Sequence, residues 1–242
     1  MQLESRVACA LDPTRPISPQ IHRLLRERII HNDLSPGDRI SESEIARHCD
    51  VSRQPVREAF IKLADQGLLS VRPQRATAVS KIAYAAVLDA RFLREAIEAD
   101  IVKLLARAPE PALMDELRAQ LDHQRAVAET DRDAFIRLDD LFHRTLAEGA
   151  DKAGAWKLLE GLKAQMDRVR FLALGRFPVD KLLAQHGQLV ERIAAGDVAG
   201  AEAAIRSHLR EVLNDLPTIV GANPDFFDMP AGENSLPDKA TI

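Results

Sequence analysis

Four side chains in the second half of the chain have the types and spacing to hold a metal ion: Asp139, His143, His186 and His208. Asp139 and His143 lie four apart, so on a helix both reach the same point. At about 100° per residue, helical phase then places all four. The segment around Phe135 turns Phe135, Leu138, Phe142 and Leu146 inward, with Asp139 inside that stripe and His143 on its flank. His186 centres a stripe of Val179, Leu182, Leu189, Val190 and Ile193, and His208 belongs to one of Ala201, Ile205, Val212 and Leu216. A single buried histidine is usually a hydrogen-bonded core residue. A buried aspartate, however, is costly unless it is paired or coordinates a metal. Three histidines and an aspartate on the inward faces of three helices point to an N₃O site with positions open to water or a ligand. Zinc or nickel suits the imidazoles, and manganese and iron are also compatible. His123 falls off the Leu113–Leu117–Leu121 stripe and reads as solvated.

A second constellation lies near the start of the chain. Ser52, Arg53, Gln54 and Arg57 open a helical segment. An arginine there can donate two parallel hydrogen bonds to a guanine edge, and a glutamine can do the same for adenine. Arg53 and Arg57 are four apart and share a face; Val56, Ala59, Phe60 and Leu63 form the opposite, apolar one. Arg47 and Lys62 are placed to approach phosphates, and the free amides after Ser52 favour a phosphate too. The tip Arg72-Pro73-Gln74-Arg75 adds Arg72 and Arg75, with Gln74 between them, for phosphate or the minor groove. Any one of these arginines alone is an ordinary solvated charge. Their order along the elements is what makes them a surface.

Those elements are legible. Ser18-Pro19 predicts a helix start, with Ile21, Leu24, Leu25 and Ile29 inward and an end near Asn32. Ser41-Glu42-Ser43-Glu44 is a capping box for a short second helix to Cys49. Asp50-Val51 makes the turn, Ser52 caps a third helix to Gln66, and Gly67 sits where a C-cap glycine belongs. Residues 68–71 and 77–80 read as strands flanking the basic tip. Three helices and a hairpin in this order make a winged helix-turn-helix. From Ala83 on, helical segments follow at 83–107, 110–128, 132–149, 153–174, 179–195 and 198–215. Short connections make them an antiparallel six-helix bundle. The expected fold is therefore mainly α. A flexible 1–14 precedes a DNA-binding domain over 15–81, and a helical domain over 82–216 precedes an irregular 217–242 to which Phe226-Phe227 adds an apolar anchor.

Bulk composition agrees. The net charge is -4, but residues 15–81 carry twelve Lys/Arg against eight Asp/Glu, and residues 82–242 carry twenty against twenty-seven. A basic front half on an acidic back half suits a DNA reader joined to a sensor. Cys9 and Cys49 are too few for a disulfide framework. No apolar run approaches the length of a membrane span, and Val7 to Leu11 is too short for a signal core, so a cytoplasmic protein without a membrane partner is expected.

The run Asp50-Val51-Ser52-Arg53-Gln54-Pro55-Val56-Arg57-Glu58-Ala59, preceded by Pro36-Gly37-Asp38-Arg39-Ile40-Ser41-Glu42, resembles the signature of GntR-type bacterial repressors. Gln66-Gly67-Leu68-Leu69 followed by Arg72-Pro73 matches the same family's entry into the wing. Ala76, where many relatives have glycine, and Ser43, where some have arginine, depart from the pattern. The helical second half resembles the FCD subfamily, in its shorter VanR-like form. That resemblance implies Asp139, His143, His186 and His208 as metal ligands. It also implies an effector carboxylate on the metal's open positions. Arg94, in Arg94-Glu95-Ala96-Ile97-Glu98, is then a candidate effector clamp, although an Arg94–Glu98 surface pair is an almost equal reading. Arg91 is a weaker candidate, with Arg168 and Arg170.

The expected function is a repressor, not an enzyme. It would bind double-stranded operator DNA as a homodimer and be controlled by a small organic acid at a metal-containing pocket. A metal-responsive regulator and a helical metalloenzyme with a DNA-binding appendage are the alternatives.

Overall fold

The computed structural model describes residues 9–71, 76–128, 130–173 and 179–229. These divide into two units: the described residues of 1–88, 162–172 and 217–242, and those of 89–161 and 173–216.

The first unit is built on α1 (Ile17–Ile30), α2 (Glu42–His48) and α3 (Arg53–Asp65), with strands β1 (Arg39–Ile40), β2 (Leu69–Ser70) and β3 (Thr77–Val79). Leucine and isoleucine at helical spacing dictate the packing. Ile21, Leu25 and Ile29 from α1, Ile45 from α2, and Val56, Phe60 and Leu63 from α3 form one core with Leu68, Leu69 and Val79. The strands run in the order β1-β3-β2, all antiparallel, with Arg39 opposite Ala78 and Leu69 opposite Val79. The hairpin and its place after α3 are as the sequence predicts; β1, only two residues long, was not foreseen. Gly67 has φ +69°, the left-handed conformation that ends α3 and turns the chain into β2.

Two expectations need correction here, and one pairing is new. The first helix starts at Ile17 with Pro16 at its cap, so Ser18 lies inside it and is buried. Pro19 still falls in the first turn, where no backbone donor is needed, so the shift has no hydrogen-bond cost. Ser41 and Ser52 hold the cap positions of α2 and α3 with extended backbones, but neither side chain makes a capping hydrogen bond. Cys9 and Cys49, read as too few for a framework, are joined to each other.

The second unit is helical: α4 (Tyr84–Arg107) from Asp89 on, α5 (Pro111–Val127), α6 (Arg132–Gly149), α7 (Ala153–Leu162), α9 (Val179–Ala194) and α10 (Val198–Ala222) up to Leu216. Proline opens α5 at its first position, and Asp131 caps α6 by accepting from the Ala134 amide. Leu117, Phe142, Leu159, Val190 and Ile205 converge in a single core, and α5 packs against both α6 and α9.

The single helix expected over 153–174 is two helices, α7 and α8 (Ala164–Ala173), separated by a turn at Lys163. Gly161 weakens helix propensity just before the break, and the buried Lys163 ammonium pairs with Asp167 at 2.8 Å. Residues 162–172 group with the first unit, where Arg26 also pairs with Asp167 at 2.7 Å and Gln165 donates to the Gly67 carbonyl.

The chain after Leu216 is not wholly irregular. Helix α10 continues through Pro217 to Ala222. A mid-helix proline costs about 3 kcal/mol, and burial of Ile219 and Val220 just beyond it offsets that. A 3₁₀ turn (Pro224–Phe226) leads to β5 (Phe227–Asp228), which pairs in parallel with β4 (Ile82–Ala83), and Phe227 is buried. Among the described residues, no helix is long and apolar enough to cross a membrane.

Candidate metal centre and nucleic-acid interface

Helix α6 brings Asp139 and His143 to the interior of the second unit, α9 brings His186 and α10 brings His208. One ligand atom from each lies within 4.8 Å of every other. The Nε2 atoms of His186 and His208 are 3.2 Å apart, and those of His208 and His143 are 3.3 Å apart. The Asp139 carboxylate stands 3.6 Å from His186 Nε2 and 3.9 Å from His143 Nε2. Asp139, His143 and His186 are at most 2% exposed and His208 9%. Burial, reinforced by the neighbouring His186 and His143, holds His208 well below the ordinary histidine range, so its ring is neutral at pH 7. Three imidazoles and a carboxylate gathered around one point are a set of cation ligands, and N₃O donors fit zinc or nickel. The phases read from the sequence therefore converge in space, and His123 is exposed as expected.

A shell of polar side chains surrounds these four. Glu98 on α4 is 3% exposed, and its Oε2 lies 2.6 Å from His143 Nδ1, a short but oblique approach. Its other oxygen accepts from Arg94 Nε at 2.6 Å. Burial opposes the charge on Glu98, but Arg94 and His143 outweigh it and hold the carboxyl at about 2. Gln124 on α5 faces His186 Nδ1 at 3.2 Å, and Gln185 on α9 faces His208 Nδ1 at 3.1 Å. Sequence reading missed both glutamines. Gln124 extends the Leu113–Leu117–Leu121 stripe and is fully buried, the signal that singled out Asp139; Gln185 carries no such mark.

Arg94 forms its Glu98 pair in the core, not on the surface, and one of its terminal nitrogens, Nη2, is buried without a hydrogen-bond partner. Arg91 is also buried and donates to Glu95 at 2.7 Å. Glu95 further accepts from Arg206 and Arg210 on α10. These arginines flank His208 and tie its helix to α4. Arg168 is fully buried on α8, in the other unit, where burial lowers its guanidinium to about 10.

The second surface belongs to the first unit. Helix α3 turns Val56, Ala59, Phe60 and Leu63 into the core, which leaves Arg53, Gln54 and Arg57 on the outside. Ser52, Arg47 and Lys62 are exposed as well. Among the described residues Arg53 makes a loose 3.5 Å pair with Glu42, and at 69% exposure it can leave that partner at little cost. Gln54 donates to Glu58 one turn on. Arg72, Gln74 and Arg75 lie outside the described residues.

Comparison with known proteins gives the family of both units. Residues 17–79 match the model of the bacterial regulatory proteins of the gntR family, and residues 89–211 match that of the FCD domain. The chain is 40% identical to the HTH-type transcriptional repressor RspR of Escherichia coli K12 over 91% of its own length and 98% of that protein. It is 29% identical to a probable D-xylose utilization operon transcriptional repressor of Paenarthrobacter nicotinovorans, over 81% of its length and 87% of that protein. Two solved structures share the fold. E. coli McbR/YncC matches with TM-score 0.70 and 19% identity, over 85% of this chain and 98% of that one. A gntR regulator from Rhodococcus sp. RHA1 gives 0.65 and 24%, over the same shares. An α3 that presents arginine and glutamine outward, followed by an FCD-type helical unit, thus places the chain in the gntR family of transcriptional regulators.

Proposed function

We propose that this regulator is a repressor whose operator affinity is set by a small organic acid, bound at a divalent metal held by Asp139, His143, His186 and His208. The carrying observation is the convergence of three imidazole Nε2 atoms and one carboxylate in the buried interior of the helical unit. Zinc or nickel is the ion this donor set favours, and when bound it supplies a Lewis-acid anchor for a carboxylate oxygen. The unpartnered Nη2 of Arg94 supplies a donor for the acid's second carboxylate or hydroxyl. Arg91, its Nη1 given to Glu95, serves the same pocket more remotely.

On the DNA side, Arg53, Gln54 and Arg57 read base edges in the major groove, while Ser52, Arg47 and Lys62 contact phosphates. Two copies bind a pseudo-palindromic operator, as the two-fold symmetry of a dimeric helix-turn-helix requires. An effector changes operator affinity only by its preference between conformations, so α6, α9 and α10, which bear the ligands, are the helices that respond. Two relatives bear the name of repressor, which supports that direction of control.

A thermal-shift screen of zinc-loaded protein against small carboxylic acids tests this reading, with a His186→Ala/His208→Ala double variant as control. At least one acid stabilises the wild type and not the variant. The reading is wrong if no acid acts, or if both proteins respond alike.

A further inference from the structure

Resting on the metal reading above, we propose that Gln124, Gln185 and Glu98 are the positioning residues of the metal centre, one for each histidine. Together they hold all three rings as Nδ1–H tautomers with Nε2 bare.

The two glutamines leave little freedom in this. The Gln124 amide nitrogen donates to the Leu138 carbonyl at 3.1 Å. Its oxygen therefore faces His186 Nδ1, 3.2 Å away, and an amide oxygen can only accept. The Gln185 amide nitrogen donates to Glu211 at 3.2 Å, and Glu211 is itself held by Lys181 at 2.6 Å. Its oxygen is thereby turned to His208 Nδ1 at 3.1 Å. In both rings Nδ1 must then carry the proton. A neutral imidazole has one N–H, so Nε2 is left with its lone pair.

His143 faces an ionised carboxylate in place of an amide. Glu98 already accepts from Arg94, and its second oxygen stands 2.6 Å from Nδ1. An acceptor-only group there imposes the same tautomer, and its charge makes the ring a stronger ligand than the other two. The three anchors come from α4, α5 and α9, two of which contribute no other residue to the ligand cluster. Lone pairs that would repel one another across 3.2–3.3 Å are thus forced inward before any ion arrives. A site organised in this way gives its binding energy to the metal and spends none on turning the rings.

The test uses the full chain and zinc. Affinity is read by competition with a chromophoric chelator, and ring tautomers by ¹⁵N spectra of zinc-loaded, histidine-labelled protein. Gln124→Leu and Gln185→Leu each weaken zinc binding by about 10–100-fold, and Glu98→Gln, which keeps an acceptor but loses its charge, weakens it by less. In wild type all three rings show a protonated Nδ1 and a coordinated Nε2; this spectrum needs no variant and stands even if a leucine substitution misfolds. Zinc binding in wild type with a ring coordinated through Nδ1, or with undiminished affinity in folded Leu variants, overturns the positioning role and leaves the metal reading intact. Failure of wild type to bind zinc or nickel overturns both.

Discussion

His186 Nε2 on α9 faces His208 Nε2 on α10 at 3.2 Å in the interior of the helical unit, the two residues 22 apart in sequence. Two ring nitrogens at that distance need either a shared proton or a cation between them. Burial and its two histidine neighbours keep His208 unprotonated at neutral pH, which disfavours the extra proton and favours the cation. Zinc is therefore expected to stabilise the chelator-treated protein by about 2.7 kcal/mol at a hundredfold excess over its dissociation constant. The His186→Ala/His208→Ala variant shows none of this gain in a thermal melt.

Arg53 and Lys62 are both exposed on α3 but are assigned different work. Arg53→Ala loses about 1–3 kcal/mol of affinity for the operator and relaxes sequence preference. Lys62→Ala weakens binding to all sequences alike and lowers the slope of log affinity against log salt by about one. Anisotropy titrations on operator and scrambled DNA at several salt concentrations separate the two.

Glu95 gives the helical unit a pH dependence of known sign. Hydrogen bonds from Arg210, with those from Arg91 and Arg206, outweigh burial and hold its carboxyl at about 2, against 4.5 when free. Above pH 4.5 both folded and unfolded chains carry the charge and the stabilisation is complete. As pH falls from about 4.5 to about 2 the unfolded chain takes up the proton first, and stability is lost. Arg210 is well exposed, so screening limits the effect to on the order of 1–2 kcal/mol. Glu95→Gln flattens this part of the stability–pH curve in denaturant titrations; an unchanged slope refutes the assignment.

Phe227 and Phe226 are neighbours with unequal burial. Phe227 is 3% exposed and pairs through its backbone with Ile82, while Phe226 is half-buried. Phe227→Ala is expected to cost about 3 kcal/mol and Phe226→Ala clearly less, as read by urea unfolding.

Much of this is legible in the sequence. Helical phase alone sends Asp139, His186 and His208 inward, because a polar residue inside an apolar stripe has no other place to go. The Asp50-to-Ala59 run and the glycine at 67 locate α3 and the turn into the hairpin, because caps and positive φ are local properties of the chain. What escaped depends on partners distant in sequence. β1 and β5 are two residues each, and only their pairing with β3 and β4 makes them strands. The break at Lys163 accompanies an ion pair with Asp167, and the passage of α10 through Pro217 depends on what Ile219 and Val220 bury against. Gln124 and Gln185 acquire meaning only when His186 and His208 are seen beside them. Helical spacing alone leaves Arg94 as either a clamp or a surface pair; it is paired, but in the core, with one donor left over.

On the function proposed above, Asp139, His143, His186 and His208 govern the grip of Arg53, Gln54 and Arg57 on DNA. The most direct test is the operator affinity of zinc-loaded protein, with and without the acid that raises the melting temperature most. On an operator selected from random DNA, the acid is expected to change wild-type affinity about tenfold, a coupling near 1.4 kcal/mol, and to leave the His186→Ala/His208→Ala variant unchanged. Equal shifts in both proteins, or a shift in neither, would contradict the account.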